Sequence, residues 1–229
     1  ETARRISRHG EPPAARAYAL GDFPFLPALW SAGGAVCDAR RCRLDAPEAL
    51  ETLRFILSLR DEGFAHPRGL GNPDYAFSLF LRGDVAMTVA PSAYLPRTAG
   101  APFPVGVAPV PGKRGPVSAL SDDLIVVFAN HAGAKNEAIG RALDALTGPL
   151  VLGDEAARLG SAPIRDSAAD AAAPPEGLAA AYRCAQAPPL IGPWSAVESE
   201  LYRYLALAYR WQGGETQAAP VEGGLYPSR

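Results

Sequence analysis

A chain of 229 residues, 48% hydrophobic and 20% charged, is long and apolar enough to bury a core, as one large domain or two small ones. Its formal net charge of −2 argues against a nucleic-acid surface, and no apolar run approaches the roughly 20 residues a membrane helix needs. The three histidines, His9, His66 and His131, stand singly, so neither a metal nor a cofactor is expected.

The opening Glu1-Thr2-Ala3-Arg4-Arg5 reads as the middle of a helix rather than a secretion signal, and says little about compartment. Thr2 to His9 is helix-like, and Ala15 to Leu20 alternates as a short strand. Pro24 and Pro27 frame an apolar helix ending in Leu29-Trp30-Ser31-Ala32-Gly33-Gly34, with Trp30 in the core. Val36 to Leu44 reads as a hairpin around Asp38-Ala39-Arg40-Arg41, whose arginines belong to a solvated loop. Cys37 and Cys42 face each other across it. They suit a disulfide if their Cα atoms lie within about 7 Å, which would favour an exported protein. Zinc is the other reading of the pair, and it would need two further ligands.

Asp45 and Glu48 have capping-box spacing ahead of a helix that Gly63 closes. Leu50, Leu53 and Leu57 form its predicted inward stripe, widened by Ala49 and Ile56. A second helix runs from Asn72-Pro73-Asp74 to Gly83, apolar on most sides. Val85 to Val89 and Pro104 to Val110 read as strands, the latter with Val105 and Val107 on one face. Leu124 to Phe128 has the continuous apolar character of a strand buried on both faces. Asn136 to Thr147 is a helix with Ile139, Ala142, Leu143 and Leu146 inward, closed by Gly148-Pro149. Ser167 to Pro175 is an Ala/Asp/Pro-rich surface loop, and helices follow over Glu176 to Gln186 and Trp194 to Trp211. This alternation predicts an α/β fold with mainly parallel strand neighbours.

The order of these signals resembles family 1 of the bacterial ABC-transporter extracellular solute-binding proteins, the sugar-binding group that includes maltose-binding protein. Leu29 to Gly34 is similar to the family's "LWS-x-GG" segment, and Ala46-Pro47-Glu48-Ala49-Leu50 through Gly63 to its following helix. Leu79 to Thr88, with Ser92 to Pro96, resembles "F..G.aAMt..gsw.lp"; Val105 to Pro111 resembles "vgvaPlP"; Ser161 to Arg165 resembles "gylPtr". Each motif is short. Their order over roughly residues 20 to 215 carries the resemblance.

The resemblance implies a periplasmic-binding-protein-like type II fold, mainly its carboxy-terminal lobe. Residues 1–103 and 159–229 would build that lobe, 104–158 would return to the amino-terminal lobe, and most of the latter would be absent. It implies a solute-binding component of an importer, periplasmic or extracellular and membrane-associated, monomeric, delivering a saccharide to permease subunits. Sugars need aromatic platforms beside planar acceptors and donors. By position, the resemblance assigns ligand contacts to Asp22, Phe23, Ser92, Tyr94, Asp122 and Trp194. Phe23 has a competing reading as a ring packed under the proline turns, and Asp122 as a polar turn facing water. Ala93 stands where the family commonly has a stacking tryptophan, which leaves Tyr94 as its substitute.

A small charged solute on the same fold (a polyamine, a phosphorylated polyol or a metal chelate) is the alternative, favoured by Asp122-Asp123 and the missing tryptophan. Catalysis is not expected: the chain has no GxSxG, GxxxxGK[ST], HExxH or GxGxxG, and an enzyme on a two-lobed scaffold is the weakest reading.

Overall fold

The computed structural model describes residues 18–37, 44–120, 127, 134–159, 161, 176–189 and 194–210. The expected amino-terminal helix, the loop of the 36–44 hairpin, Asp122 and the 167–175 loop lie outside the described residues.

Strand β1 (Tyr18–Leu20) pairs in parallel with β2 (Val85–Met87), Tyr18 opposite Val85 and Leu20 opposite Met87. On its other side, the Leu20 amide donates to the Phe64 carbonyl at 3.0 Å, and the His66 amide donates back to the Leu20 carbonyl at 2.9 Å. The bridge Leu20–Ala65 is also parallel. β1 is thus flanked on both sides, and its Ala19 and Leu20 are buried.

Helix α1 (Phe25–Ser31) is buried at every position, as its apolar run from Phe25 to Trp30 requires, and the buried Ser31 hydroxyl is satisfied by donating to the Ala28 carbonyl at 2.7 Å. Trp30 lies in the core as expected. The turn after α1 needs glycine at 33, where φ is 84° and the Arg114 guanidinium lies directly over the backbone. Ser31 fastens a distant loop here: its Oγ and carbonyl accept from the amides of Lys113 (3.2 Å) and Arg114 (3.1 Å).

Helix α2 (Pro47–Asp61) packs on α1. Two expectations are corrected here. Its N-cap is Ala46, with no side-chain cap, because the helix starts too late for Asp45 and Glu48 to form a capping box. Its buried stripe is Ala49, Thr52 and Ile56, while Leu50 is exposed and Leu53 and Leu57 are half-buried. Ala49, Leu53, Ile56 and Leu57 therefore face the core as expected, and only Leu50 does not, Thr52 lying inward instead. Small side chains at 49 and 52 suit a close approach, and the Thr52 hydroxyl is satisfied by donating to the Glu48 carbonyl at 2.7 Å. Gly63 follows the helix at φ 74°, as its sequence predicted.

Helix α3 (Pro73–Arg82) begins at Asn72, whose side chain accepts from the Tyr75 amide at 3.2 Å, and ends at Gly83 with φ 80°. It leads directly into β2. A 3-10 helix, Ser92–Gly100, follows.

Residues 104–110 form no strand ladder among the described residues. Val105 and Val107 share a half-buried face as alternation predicts, but no strand among the described residues pairs with them. Further on, β3 (Ser118–Ala119) pairs in parallel with β4 (Ala185–Gln186), and Val110 and Val117 pack against the main core. Helices α4 (Ala134–Leu146), α5 (Pro149–Leu159), α6 (Glu176–Arg183) and α7 (Trp194–Arg210) complete the described elements.

Gly148-Pro149 ends α4 and at once starts α5, proline being well placed in a first turn. On α4 the inward set is corrected: Ile139 and Leu143 are half-buried, but Ala142 and Leu146 are exposed. Val127, the one described residue of the expected buried strand, is 47% exposed. No described element covers these positions, so apolar periodicity did not become burial. The expected 176–186 helix stops at Arg183 because the chain turns into β4.

Candidate functional site

In parallel α/β sheets, ligand groups gather where strands end at their carboxyl edge, because the loops leaving neighbouring strands converge there. Here β1 releases Asp22-Phe23 and β2 releases the segment leading to Ser92 and Tyr94. The Val89 amide donates to the Asp22 carbonyl at 3.3 Å, joining the two exits. Four of the predicted residues thus leave from adjacent strands.

Their side chains are differently placed. Asp22 is 5% exposed, and its Oδ1 accepts from the amides of Phe23 (2.8 Å) and Gly71 (2.9 Å). Burial raises its pKa to about 6, against the lowering effect of those two amides. Phe23 is 8% exposed within the core cluster, edge-on to Phe55 at 5.9 Å between centroids. Phe55, 50% exposed on α2, extends that aromatic surface outward.

Ser92 is half-buried in the 3-10 helix. The Tyr94 hydroxyl donates to Asp74 Oδ1 at 2.5 Å, and this bond is the main cause raising the phenol pKa. Its ring leans on Phe77 (5.1 Å), and the Arg97 guanidinium lies over both rings, 4.8 Å from Tyr94 and 4.9 Å from Phe77. Asp74 is in the first turn of α3, where the helix dipole favours a carboxylate. Helix α5 packs against this same 3-10 helix, with Gly153 and Ala156 among its buried positions.

Trp194 opens α7, half-buried against the core cluster that contains Phe23. Asp122 lies outside the described residues. An open depression of about 250 Å³, lined by Phe80, Val85, Phe103 and Val105 among others, sits at the opposite, amino-terminal end of β2, away from the predicted residues.

Sequence reasoning missed Phe55, Asp74, Arg97 and Tyr209. Phe55 was detectable as an aromatic residue off the apolar stripe of its helix, and Tyr209 as the next step of the Leu201, Leu205 repeat. Nothing local marks Asp74 or Arg97, because their partner Tyr94 reaches them only through the fold.

Cys37 is buried and disulfide-bonded, and Cys184 is a free thiol. Cys42, the expected partner of Cys37, is outside the described residues. Among the described residues no helix is long and apolar enough to cross a membrane.

No protein-family model and no curated protein matches the chain. Solved structures do. The maltose/maltodextrin-binding domain MalE from Bdellovibrio bacteriovorus, bound to maltotriose, is similar with a TM-score of 0.75 at 19% identity, over 91% of this chain and 59% of that one. Maltose-bound MalE3 of T. maritima has a TM-score of 0.70 at 22% identity, over 84% and 55%. The GacH receptor of Streptomyces glaucescens, solved unliganded and with acarbose, has a TM-score of 0.65 at 24% identity, over 84% and 53%. All three are binding proteins, and the chain spans less than two thirds of each. Over that span the chain has the α/β fold of the type II periplasmic binding proteins, as the order of its sequence motifs implied.

Proposed function

We propose that this chain supplies one wall of a saccharide-binding cleft in the solute-binding component of an ABC importer, a protein that binds its solute without transforming it. The carrying observation is the shared carboxyl edge of β1 and β2, from which Asp22-Phe23 and Ser92-Tyr94 depart side by side. Rings at this edge (Phe55 and Tyr94) and polar groups beside them (Ser92 and Asp74) are the chemistry that sugar faces and hydroxyls require. The likeness to proteins solved with maltotriose, maltose and acarbose supports the same ligand class.

In this reading Phe23 backs Phe55 from the core, Trp194 approaches from α7, and Asp122 remains a proposed contact on its sequence position alone. The lobe crossings fall near β3 and β4. Packing of Val110 and Val117 on the core, with the pairing of β3 and β4, favours moving the expected 104–158 excursion to roughly 120–184. α5, which lies within that excursion and packs on the 3-10 helix, would then approach the edge from the other wall. Lobe closure on the solute would be what permease subunits recognise. The disulfide at Cys37 supports a periplasmic or extracellular site, where thiols oxidise, and Cys42 is its proposed partner.

A small charged solute is the second reading. Arg97 covers one face of Tyr94, which removes that face from sugar stacking and leaves a guanidinium at the edge. Calorimetric titration of the chain with maltotriose, acarbose, a polyamine and a sugar phosphate separates the two. Heat with the neutral saccharides is expected; binding confined to the charged solutes would replace the first reading by the second.

A further inference from the structure

We propose that Asp22 is a positioning residue of the binding edge, whose carboxylate stays off the solute and clamps the exit of β1 to the Leu70–Gly71 turn against the last turn of α7. What the edge binds rests on the saccharide reading; the clamp itself does not.

Asp22 Oδ1 is shared by the amides of Phe23 and Gly71, 49 positions apart in sequence from Asp22 to Gly71. The residue's own carbonyl takes the Val89 amide, so three segments converge on it. Gly71 is confined from behind as well. Its φ of 71° favours glycine, and a Cβ there would stand 2.9 Å from Cδ2 of Tyr209. Tyr209, buried on α7, is in turn held in place where Arg60 of α2 donates to its carbonyl at 2.6 Å. The turn is thus pressed between a carboxylate and a phenol ring.

The groups acting on this carboxylate agree with a clamp. Backbone amides bond to it, and the titratable neighbour it is coupled to is Tyr209, whose phenol is raised by burial first and by the Asp22 charge second. A side chain meant for solute hydroxyls would present free lone pairs to the cleft. This one turns Oδ1 to the backbone, and with only 5% of the residue exposed, little of Oδ2 is open to a solute.

The test uses the ligand-free chain and two variants. Native-state amide exchange is expected to rise about tenfold or more at Phe23 and Gly71 in Asp22→Ala, with amides in the middle of α2 unchanged. Asp22→Asn keeps an Oδ1 acceptor and is expected to hold exchange within about threefold of the parent. Maltotriose affinity is expected to follow the same order, lost in Asp22→Ala and restored in Asp22→Asn. Unchanged Gly71 exchange in Asp22→Ala overturns the clamp. So does an Asp22→Asn variant that loses maltotriose while its amides stay protected, because the carboxylate would then be touching solute. If the parent binds no saccharide, the exchange measurements still decide the clamp, and the saccharide reading is what fails.

Discussion

Arg60 donates a 2.6 Å hydrogen bond to the backbone carbonyl of Tyr209, 149 residues later, and a longer one of 3.4 Å to Ala208. A helix end leaves its last carbonyls without partners, and a buried cation is a strong partner for them. The Arg60 side chain is nearly buried, so water cannot easily replace it. Arg60→Ala is expected to lower stability by about 1–3 kcal/mol, read as a fall in the urea midpoint at constant slope. An unchanged midpoint would mean that α7 is held by its apolar face alone.

Asp22 makes stability depend on pH. Its folded pKa of about 6 lies above the ordinary 3.8, so the native state binds its proton more tightly than the unfolded chain does. Its contribution is therefore greatest below pH 3.8 and is lost as pH rises towards 6. The difference amounts to on the order of 3 kcal/mol. The expected observation is that Asp22→Asn removes this part of the pH dependence of Tm. A variant curve parallel to that of the parent across this window would contradict the burial account.

The core and the open face of α5 should respond very differently to truncation. Leu29 is fully buried beneath Gly34 and α2, and Leu29→Ala is expected to cost about 3 kcal/mol through lost burial and the cavity left behind. Leu150 is 83% exposed, and Leu150→Ala is expected to change stability by less than about 0.5 kcal/mol. Chemical denaturation of both variants checks the pair. A large loss at Leu150 would show that its face is covered in solution.

Tyr94 separates ring from hydroxyl. Tyr94→Phe keeps the contacts with Phe77 and Arg97 but ends the donation to Asp74. Saccharide affinity is expected to stay within about threefold in Tyr94→Phe and to fall at least about tenfold in Tyr94→Ala if the ring is a platform. Equal losses in both would assign the role to the Tyr94–Asp74 bond instead. Spectroscopic titration of the parent should also show phenols ionising above the ordinary range, Tyr94 and Tyr209 among them, with one fewer in Tyr94→Phe.

Local chemistry made much of this fold legible. Glycines 63 and 83 end helices because backbone at positive φ favours them, and Asn72-Pro73 starts one for reasons equally local. The stripe of α2 was read correctly at Ala49, Leu53, Ile56 and Leu57 and wrongly at Leu50, in whose stead Thr52 is buried. Choosing between Leu50 and Thr52 takes the shape of α1, which no window of sequence contains. The same limit hid Arg97 and Tyr209. Each acquires its meaning from a partner brought close by folding.

By itself, then, the sequence determined most of the helices, the parallel α/β architecture and the segments that leave the strands, because propensity, capping and turn chemistry act over a few residues. It showed neither α5 nor the 3-10 helix, and its 104–110 strand has no ladder among the described residues. Tertiary structure alone decided which oxygen of Asp22 is consumed by backbone amides, which ring Arg97 covers and which apolar faces remain open. Those outcomes depend on distances between residues far apart in the chain, and such distances exist only once the chain has packed.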